Sequence, residues 1–586
     1  MKHLYYLLLV AMIGFASCHQ DIFEDSEMYQ QVDFIIGTAP FDAPIESLYG
    51  DDMTLGNRLE NPYSVVNMRR AYDSMAPELS DAGIEVDDIT TTHFYVKFKP
   101  DNEEELQSIK DSYAAFDIYE YPLDYEMSGR VSYHDPEIPD SLPTYQYASI
   151  DSLSWTTIPV PQNVEFEILE RLFIPDEDLD DINLTVQSRG TTSYNDAVEA
   201  LVNRSLLLTG NLEDEEETPE NGVLSSGSTW YPSGRITAYD DILDAQVPLE
   251  GVKVRVRRWF TTCTTTTDEG GFFTIPKSFK NKVNYLIIWD GPKWNIRDGK
   301  YCQAYYNGPK KQGVWNLEIA NNSSKSIRYA TIHRAVYRMK IGNVDGLSRI
   351  PTSYCTNIGY LHGKSSDGYY GAYLKEEDED YWIDIEICGK DKDDIFIPIH
   401  EVLSTVYHEL GHSSHYTNAS SKYKNSSVEL IESWASFVGY YLTLKEYKEF
   451  GFDDGPFNIL EEELEDGTIV EYCEPDGIIN RQIVPVMQGY KYFPLFIDMY
   501  DTNNQYITNM YYWQNSESLL RYMSDDRIQN ISAGNIEDIV FESTTIQGTK
   551  FALIQYMRSN TSLMNTVQNL TQETINLLYL PYEENL

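Results

Sequence analysis

Hydrophobic and polar positions change their period several times along this chain, and each change predicts a different element. Early on, "NPYSVVNMRRAYDSMAPEL" carries apolar residues at helical spacing. "THFYVKFKP" alternates apolar and polar like a half-buried strand, and "NEEELQSIKDS" has the acidic first turn of a capped helix. "SYHDPEIPDSLPTYQYASI" is broken by prolines and predicts irregular chain. "SYNDAVEALVNRSLLLTG" predicts an amphipathic helix ended by Gly210. The period then drops to two: Val252, Val254 and Val256 alternate with Lys253, Arg255 and Arg257, which predicts a strand with one buried and one wet face. "DEGG" makes a turn, and "FFTIP" and "VNYLIIW" predict further strands. From about Val314 the pattern is helix-rich. "RYATIHRAVYRM", a stretch beginning near His400, and "VELIESWASFVGYYLTL" all read as helices. Among them "YWIDIEIC" predicts a strand, with Ile383, Ile385 and Ile387 alternating against Asp384 and Glu386.

These patterns divide 586 residues into a multidomain α+β protein, since one hydrophobic core rarely serves a chain of this length. The expected parts are an N-terminal α+β region over 19–155, a helical and acidic linker region over 156–228, a small all-β sandwich over 229–291, and a mainly helical domain over 310–586. Within the linker region, "IPDEDLDDINL" and "GNLEDEEETPENGVLSSGS" are acidic and turn-rich, and the second has almost nothing to bury. A further acidic insertion, "EEELEDGTIVEYCEPDG", separates the central helices from the later ones.

Charge and termini narrow the setting. Lys plus Arg is 44 against 93 Asp plus Glu, giving a formal net charge of −49, which repels phosphate backbones and argues against nucleic acid as a partner. The first eighteen residues, "MKHLYYLLLVAMIGFASC", place Lys2 before an apolar run too short to span a bilayer comfortably, the pattern of a secretory signal over 1–18. The ending "FASC" resembles a bacterial lipobox, in which Cys18 becomes the lipidated N-terminus. The acidic residues that follow resemble the surface-export signal of Bacteroidetes lipoproteins. The resemblance implies an exported protein held to the outer membrane through a lipid on Cys18. The other cysteines, Cys263, Cys302, Cys355, Cys388 and Cys473, form no C-x-x-C pair and exclude a zinc ribbon.

The candidate chemistry lies in "VYHELGHSSHY", Val406 to Tyr416. His408 and His412 stand at i and i+4, one turn apart on one helix face, the separation at which two imidazoles share a metal ion. Glu409 follows the first of these directly; in HExxH zinc peptidases, which this spacing resembles, a glutamate here is the general base, taking a proton from the attacking water and delivering it to the leaving amine. Gly411 weakens the helix but leaves room for a neighbour to approach closely. His415 is the nearest third candidate. At roughly 1.5 Å per residue it lies about 7.5 Å along the axis from a metal between His408 and His412, beyond an imidazole's reach. The next predicted helix holds two acids, Glu429 and Glu432, in an otherwise apolar stretch, where a carboxylate is costly unless paired; a metal is a natural partner for either.

Two family resemblances rest on these residues. HELGH followed by "IESWASF" is similar to the gluzincin zinc peptidases, in which the glutamate after HExxH binds zinc. Aligned that way, Glu432 is the third ligand, with nineteen residues between it and His412, and Glu429 one turn earlier is the fallback. The resemblance implies a zincin-like metallopeptidase acting on protein or peptide substrates, with Zn²⁺ held by His408, His412 and Glu432. It covers about His400 to Leu444. Ser436 stands where the thermolysin-like branch has an acid, the metzincin pattern would need glycine at His415 and histidine at Asn418, and the aminopeptidase motif GxMEN is absent, which favours an endopeptidase. All ten histidines lie at or before His415, so a tyrosine, an arginine or the metal must serve the developing oxyanion; Tyr490, Tyr492 and Tyr500 are the candidates. The second resemblance covers about Thr229 to Asp290, where "GRITA", "PLEGVKVRV" and "TDEGGFFTI" resemble the carboxypeptidase regulatory-like β-sandwich, an accessory module. The alternative to a peptidase is a zinc-binding or adhesion lipoprotein that cuts nothing.

Overall fold

The computed structural model describes residues 52–112, 117–157, 163–175, 194–211, 229–320, 322–365, 369–374, 382–452, 459–463, 469–473, 491–501, 527–559 and 567–585. The expected leader with Cys18, the linker candidate over 212–228, and Tyr490 lie outside them. Among the described residues the protein is mixed α+β, with several sheets and a helical C-terminal region. No described helix is long and apolar enough to cross a membrane.

The N-terminal strands are β1 (Thr54–Arg58), β2 (His93–Lys99), β3 (Ile118–Tyr119), β4 (Tyr125–Ser128), β5 (Gln146–Asp151) and β6 (Glu165–Leu172). They form a sheet of order β3-β5-β2-β6 and a separate β1-β4 pair. The helix expected from "NPYSVVNMRRAYDSMAPEL" is two, α1 (Val65–Asp73) and α2 (Ala76–Asp81). Ser64 caps the first by accepting the Asn67 N–H, and Pro77 sits in the first turn of the second, the one place in a helix where its missing N–H does no harm. Then come α3 (Glu103–Ser112), α4 (Ser152–Thr157) and α5 (Tyr194–Leu208). The sequence suggests a linker region from 156, yet β6 pairs with β2, and Leu201, Val202 and Leu206 of α5 share a core with Met68 and Tyr72 of α1. Apolar residues on one face of α5 had to be buried, and the nearest apolar surface is α1.

Two four-stranded sheets follow, from β7 (Ser233–Asp240), β8 (Ala245–Pro248), β9 (Lys253–Arg258), β10 (Thr261–Thr266), β11 (Phe272–Thr274), β12 (Val283–Ile288), β15 (Tyr305–Lys311) and β16 (Trp315–Ile319). Their orders are β10-β9-β12-β15 and β11-β7-β16, with β8 against β7. The pairing therefore runs on past residue 291. Between β12 and β15 the chain leaves for another sheet through β13 (Trp294–Asp298) and β14 (Cys302–Gln303). The wet face expected on β9 is covered: Arg255 and Arg257 are only 7% and 8% exposed. The N-terminal region caps that face. Arg255 donates to the Ile118 carbonyl at 3.3 Å and to Asp117 at 2.5 Å, and Arg257 donates to the Leu123 carbonyl at 3.3 Å. Alternation alone cannot tell solvent from a second layer that accepts guanidinium hydrogen bonds.

The C-terminal region begins with α6 (Lys325–Lys340) and the strands β17 (Thr356–Leu361), β18 (Gly371–Tyr373) and β19 (Ile385–Cys388). The sheet order is β14-β13-β17-β19-β18, parallel at its centre and antiparallel at β18. Asp384, which alternates with the isoleucines in sequence, is buried and accepts hydrogen bonds from the Tyr354 hydroxyl and the Asn357 N–H, both at 2.8 Å. The helices α7 (Ile399–Asn418), α8 (Ser420–Tyr423) and α9 (Val428–Glu449) follow. After a β-hairpin of β20 (Ile459–Glu463) and β21 (Ile469–Cys473) come α10 (Leu495–Tyr500), α11 (Ala533–Phe541), α12 (Ile546–Ser559) and α13 (Gln572–Asn585). One apolar cluster runs from the β7 and β9 strands into these helices.

Candidate metal centre

The helices α7 and α9 pack closely because each carries a glycine at the crossing. A methyl group on Gly411 would stand 3.0 Å from Val438 Cβ and 3.2 Å from Ala435 Cα, and one on Gly439 3.0 Å from the Ser404 carbonyl oxygen. Side chains of ordinary size there would hold the helices apart. Ser427 caps α9 with its hydroxyl. The start of α7 is fixed from outside: Asp241, just past β7, accepts the N–H groups of Ile399 and His400 at 2.7 and 3.2 Å and the His400 ring nitrogen at 3.2 Å.

This crossing brings His408, His412 and Glu432 together. Their facing atoms form a nearly equilateral triangle. His408 Nε2 lies 3.2 Å from His412 Nε2, and Glu432 Oε2 lies 3.3 Å from the first and 3.4 Å from the second. A tetrahedral ion with bonds of about 2.0–2.1 Å keeps its ligand atoms about 3.3–3.4 Å apart, so these edges fit a zinc-sized ion. Burial opposes ionisation of Glu432, but the charge of His412 and hydrogen bonds from both imidazoles outweigh it and hold the carboxyl well below the usual carboxylate range. Glu429 is half-buried and outside the group; a helix turn separates it from the crossing. His415 is also outside it. The ring is fully buried, stacked on Phe541 at 4.8 Å and edge-on to Tyr423 at 5.0 Å.

Glu409 is fully buried one residue beyond His408. Its carboxylate lies against β18: a methyl group on Gly371 would meet Glu409 Oε1 at 3.0 Å. Tyr373, two residues along the same strand, stacks on His412 with ring centroids 6.1 Å apart. On the other side Tyr492 stands over His408 at 6.3 Å. Its segment is tied to α9 next to Glu432, where Ser433 Oγ accepts the Phe493 N–H at 2.9 Å and donates to the Lys491 carbonyl at 3.4 Å. Tyr500 points elsewhere, packed on Phe437 and Tyr441. The residues that sequence reasoning missed are Gly371 and Tyr373, hidden in "DGYYGAYLKEEDED", and Asp240 and Asp241. The adjacent pair after an apolar strand is a turn signal, but nothing local names its partners.

Asp240 anchors a second buried cluster on the same helices. It accepts from Arg334 of α6 at 2.9 Å and from the Tyr447 hydroxyl at 3.0 Å, and Arg334 also reaches Glu446 at 2.8 Å. The Tyr407 hydroxyl, one residue before His408, donates to the other Glu446 oxygen.

No protein-family model matches the chain, and no curated protein matches it. Among solved structures the chain is similar to a 9R-lipoxygenase from Cyanothece, at 10% identity over 43% of this chain and 33% of that one, with a TM-score of 0.11.

Proposed function

We propose that this protein is a zinc-dependent peptidase, exported and lipid-anchored through Cys18, in which His408, His412 and Glu432 hold the metal. The observation that carries the reading is the triangle of ligand atoms at 3.2–3.4 Å, with a glutamate following the first histidine. Bound there, zinc would polarise a substrate carbonyl and make an attacking water acidic near neutral pH. Glu409 takes the proton from that water and returns it to the leaving amine. Its burial against Gly371 keeps the carboxylate away from bulk solvent and fixed beside His408. Tyr492 donates a hydrogen bond to the developing oxyanion, since no histidine follows His415. The strand β18 pairs only with β19 among the described residues, so an extended peptide fits its other edge beside Glu409. The strands β7–β12, whose sequence resembles the carboxypeptidase regulatory-like sandwich, act as a brace through Asp240 and Asp241.

One observation favours the second reading, a zinc-binding surface protein that cuts nothing. His408, His412, Glu409 and Glu432 are all buried, so the site as it stands gives a substrate little access. Two measurements separate the readings. Metal analysis of purified protein should find one zinc per chain, absent in His408→Ala; a zinc-free wild type sinks both. A proteome-derived peptide library should be cleaved by the wild type and not by Glu409→Gln. Stoichiometric zinc with no cleavage, with the N-terminal region intact or removed, establishes the second reading.

A further inference from the structure

A cavity of about 360 Å³ lies far from the helices α7 and α9 in sequence, between β4 and the end of α5 on one side and the sheet of β9, β12 and β15 on the other. It is lined by Arg257, Arg258, Lys282 and Lys310, with Glu126 as its one acidic residue. In a chain with 93 acids against 44 bases this is an inverted local charge. Glu126 is already engaged, accepting the Asn57 backbone and side-chain N–H groups at 3.2 and 3.0 Å. Among the described residues Arg257, Arg258 and Lys282 have no carboxylate partner: Arg257 donates to the Leu123 and Trp259 carbonyls, and Arg258 faces the Asn281 side-chain amide. Unpaired cations around a concave surface focus a positive field on it.

The lining also offers ring faces and amides. Trp259, half-buried, occupies the hairpin turn from β9 to β10 with φ of +53°, a backbone region a bulky residue rarely adopts, and packs against Tyr63 and Phe260. A two-residue connection between twisted antiparallel strands calls for a positive φ at its first residue, so the hairpin fixes where Trp259 stands. Asn281, Asn284 and Asn307 also line it; the Asn284 and Asn307 side-chain N–H groups donate to the Arg257 and Gly129 carbonyls, and Asn281 faces Arg258. The backbone is unsuited to an extended peptide. β9 lies between β10 and β12, β12 lies between β9 and β15, and the outer side of β15 gives the Tyr305 and Asn307 N–H groups to Val131 and Arg130. A ligand here is therefore read by side chains.

We propose that this cavity binds an acidic sugar of mono- to disaccharide size, its carboxylate or sulfate on Arg258 and Lys282 and a ring face on Trp259. The volume lies within the usual range for small-ligand pockets, and aromatic faces beside amides and guanidinium groups suit a hydroxylated ring that carries an anion. The site is independent of the metal centre.

The test is titration of the full-length protein, followed by ligand-observed NMR, with a uronate disaccharide, a sulfated disaccharide, the matched neutral disaccharide, inorganic sulfate and a tri-glutamate peptide. At least one acidic disaccharide should bind at least 10-fold tighter than the neutral one. Lys282→Glu should weaken it at least 10-fold while zinc content stays unchanged. Trp259→Gly, which suits the positive φ, should weaken the disaccharide but not sulfate. Preference for the uronate or the sulfated sugar names the anion. Equal affinity for inorganic sulfate and the disaccharides, tighter binding of tri-glutamate, no binding of either acidic sugar, or undiminished binding by Lys282→Glu would each overturn the proposal.

Discussion

Two buried polar clusters share the helices α7 and α9, and adjacent residues of α7 enter them: Tyr407 the one, His408 the other. The Tyr407 cluster is complete in itself. The Arg334 guanidinium lies between Asp240 and Glu446, the Tyr407 hydroxyl donates to the other Glu446 oxygen, and the Tyr447 hydroxyl lies within hydrogen-bond distance of both Asp240 oxygens. Every charge faces an opposite charge or a donor, which is the condition for a buried ion pair to be tolerated. In the His408 cluster, two ring nitrogens and a carboxylate oxygen converge on one point at 3.2–3.4 Å, the spacing of ligand atoms around one tetrahedral ion. The difference lies in the source of the cation. One cluster takes it from its own chain; the other is shaped to take it from outside. A buried cluster of acids alone would not separate these cases, and the ligand-atom spacing does.

Substitutions that touch one cluster and not the other test this comparison. The largest effect is expected from Glu409→Gln, which keeps shape and removes the base. Peptide cleavage should fall by about 10²–10⁴-fold with zinc content unchanged, measured by turnover and metal analysis on the same preparation. Loss of zinc in this variant would mean that Glu409 supports the metal rather than the proton transfer. Next comes Arg334→Ala, which leaves Asp240 and Glu446 buried without their cation. The expected cost is about 3–5 kcal/mol in urea unfolding, while folded protein still binds one zinc. Glu432→Gln should do the reverse, with zinc lost and little change in the stability of the metal-free form. If both variants lost zinc equally, the two clusters would be one coupled unit.

The grouping of His408, His412 and Glu432 was largely legible in the sequence and the neutralised cluster was not, for a physical reason. His408, Glu409 and His412 are fixed relative to one another by helix geometry alone, and Glu432 stands out as an acid in an apolar stretch. Gly411 announced the close packing that brings it in. The Arg334 network joins residues 94 and 112 positions apart, and each member read alone is an ordinary charge on a strand end or a helix. The same limit explains β9, where Arg255 and Arg257 read as a wet face because the N-terminal layer that covers them is distant in sequence. Helices with strong periodicity were legible. The continuation of the paired sheets to β15 and β16 was not, since the pattern does not say to which sheet a strand returns.

A smaller effect is expected where the β7 turn meets α7. Asp241→Ala removes the acceptor for two N–H groups at the start of α7 and should cost about 1 kcal/mol. The cost should depend on pH. Burial pushes the Asp241 carboxyl up, but the hydrogen bond and charge of His400 outweigh it and leave the pKa below its ordinary 3.8. Burial likewise pushes the His400 imidazole down, and Asp241 outweighs that and leaves it above 6.5. A depressed carboxyl stabilises above its unfolded pKa and loses this as pH falls through its folded value. A raised imidazole stabilises below its unfolded pKa and loses this as pH rises through its folded value. The wild-type advantage over Asp241→Ala should therefore be largest between about pH 4 and 6.5, measured as the difference in urea midpoints. An advantage that grew steadily above pH 7 would contradict the pairing.

The smallest effect is expected at His415, and that smallness is informative. Three histidines within eight positions suggest a three-imidazole site, but among the described residues His415 makes no hydrogen bond through either ring nitrogen. Burial, and then the charge of His412, push its pKa down to about 3, so the ring is neutral at any physiological pH. Its contacts are those of an aromatic spacer: the face of Phe541 at an interplanar angle of 9° and the edge of Tyr423 at 86°. His415→Phe keeps a flat ring of similar size and removes two buried polar atoms. The size change costs at most about 1.5 kcal/mol, and removing unsatisfied polar atoms offsets part of it. Zinc content and cleavage should stay at wild-type levels, with stability changed by less than about 1.5 kcal/mol in either direction. Loss of zinc in this variant would mean that α7 distorts to bring a third imidazole to the metal. Glu432→Gln would then keep its zinc, so the two variants together decide which residue is the third ligand.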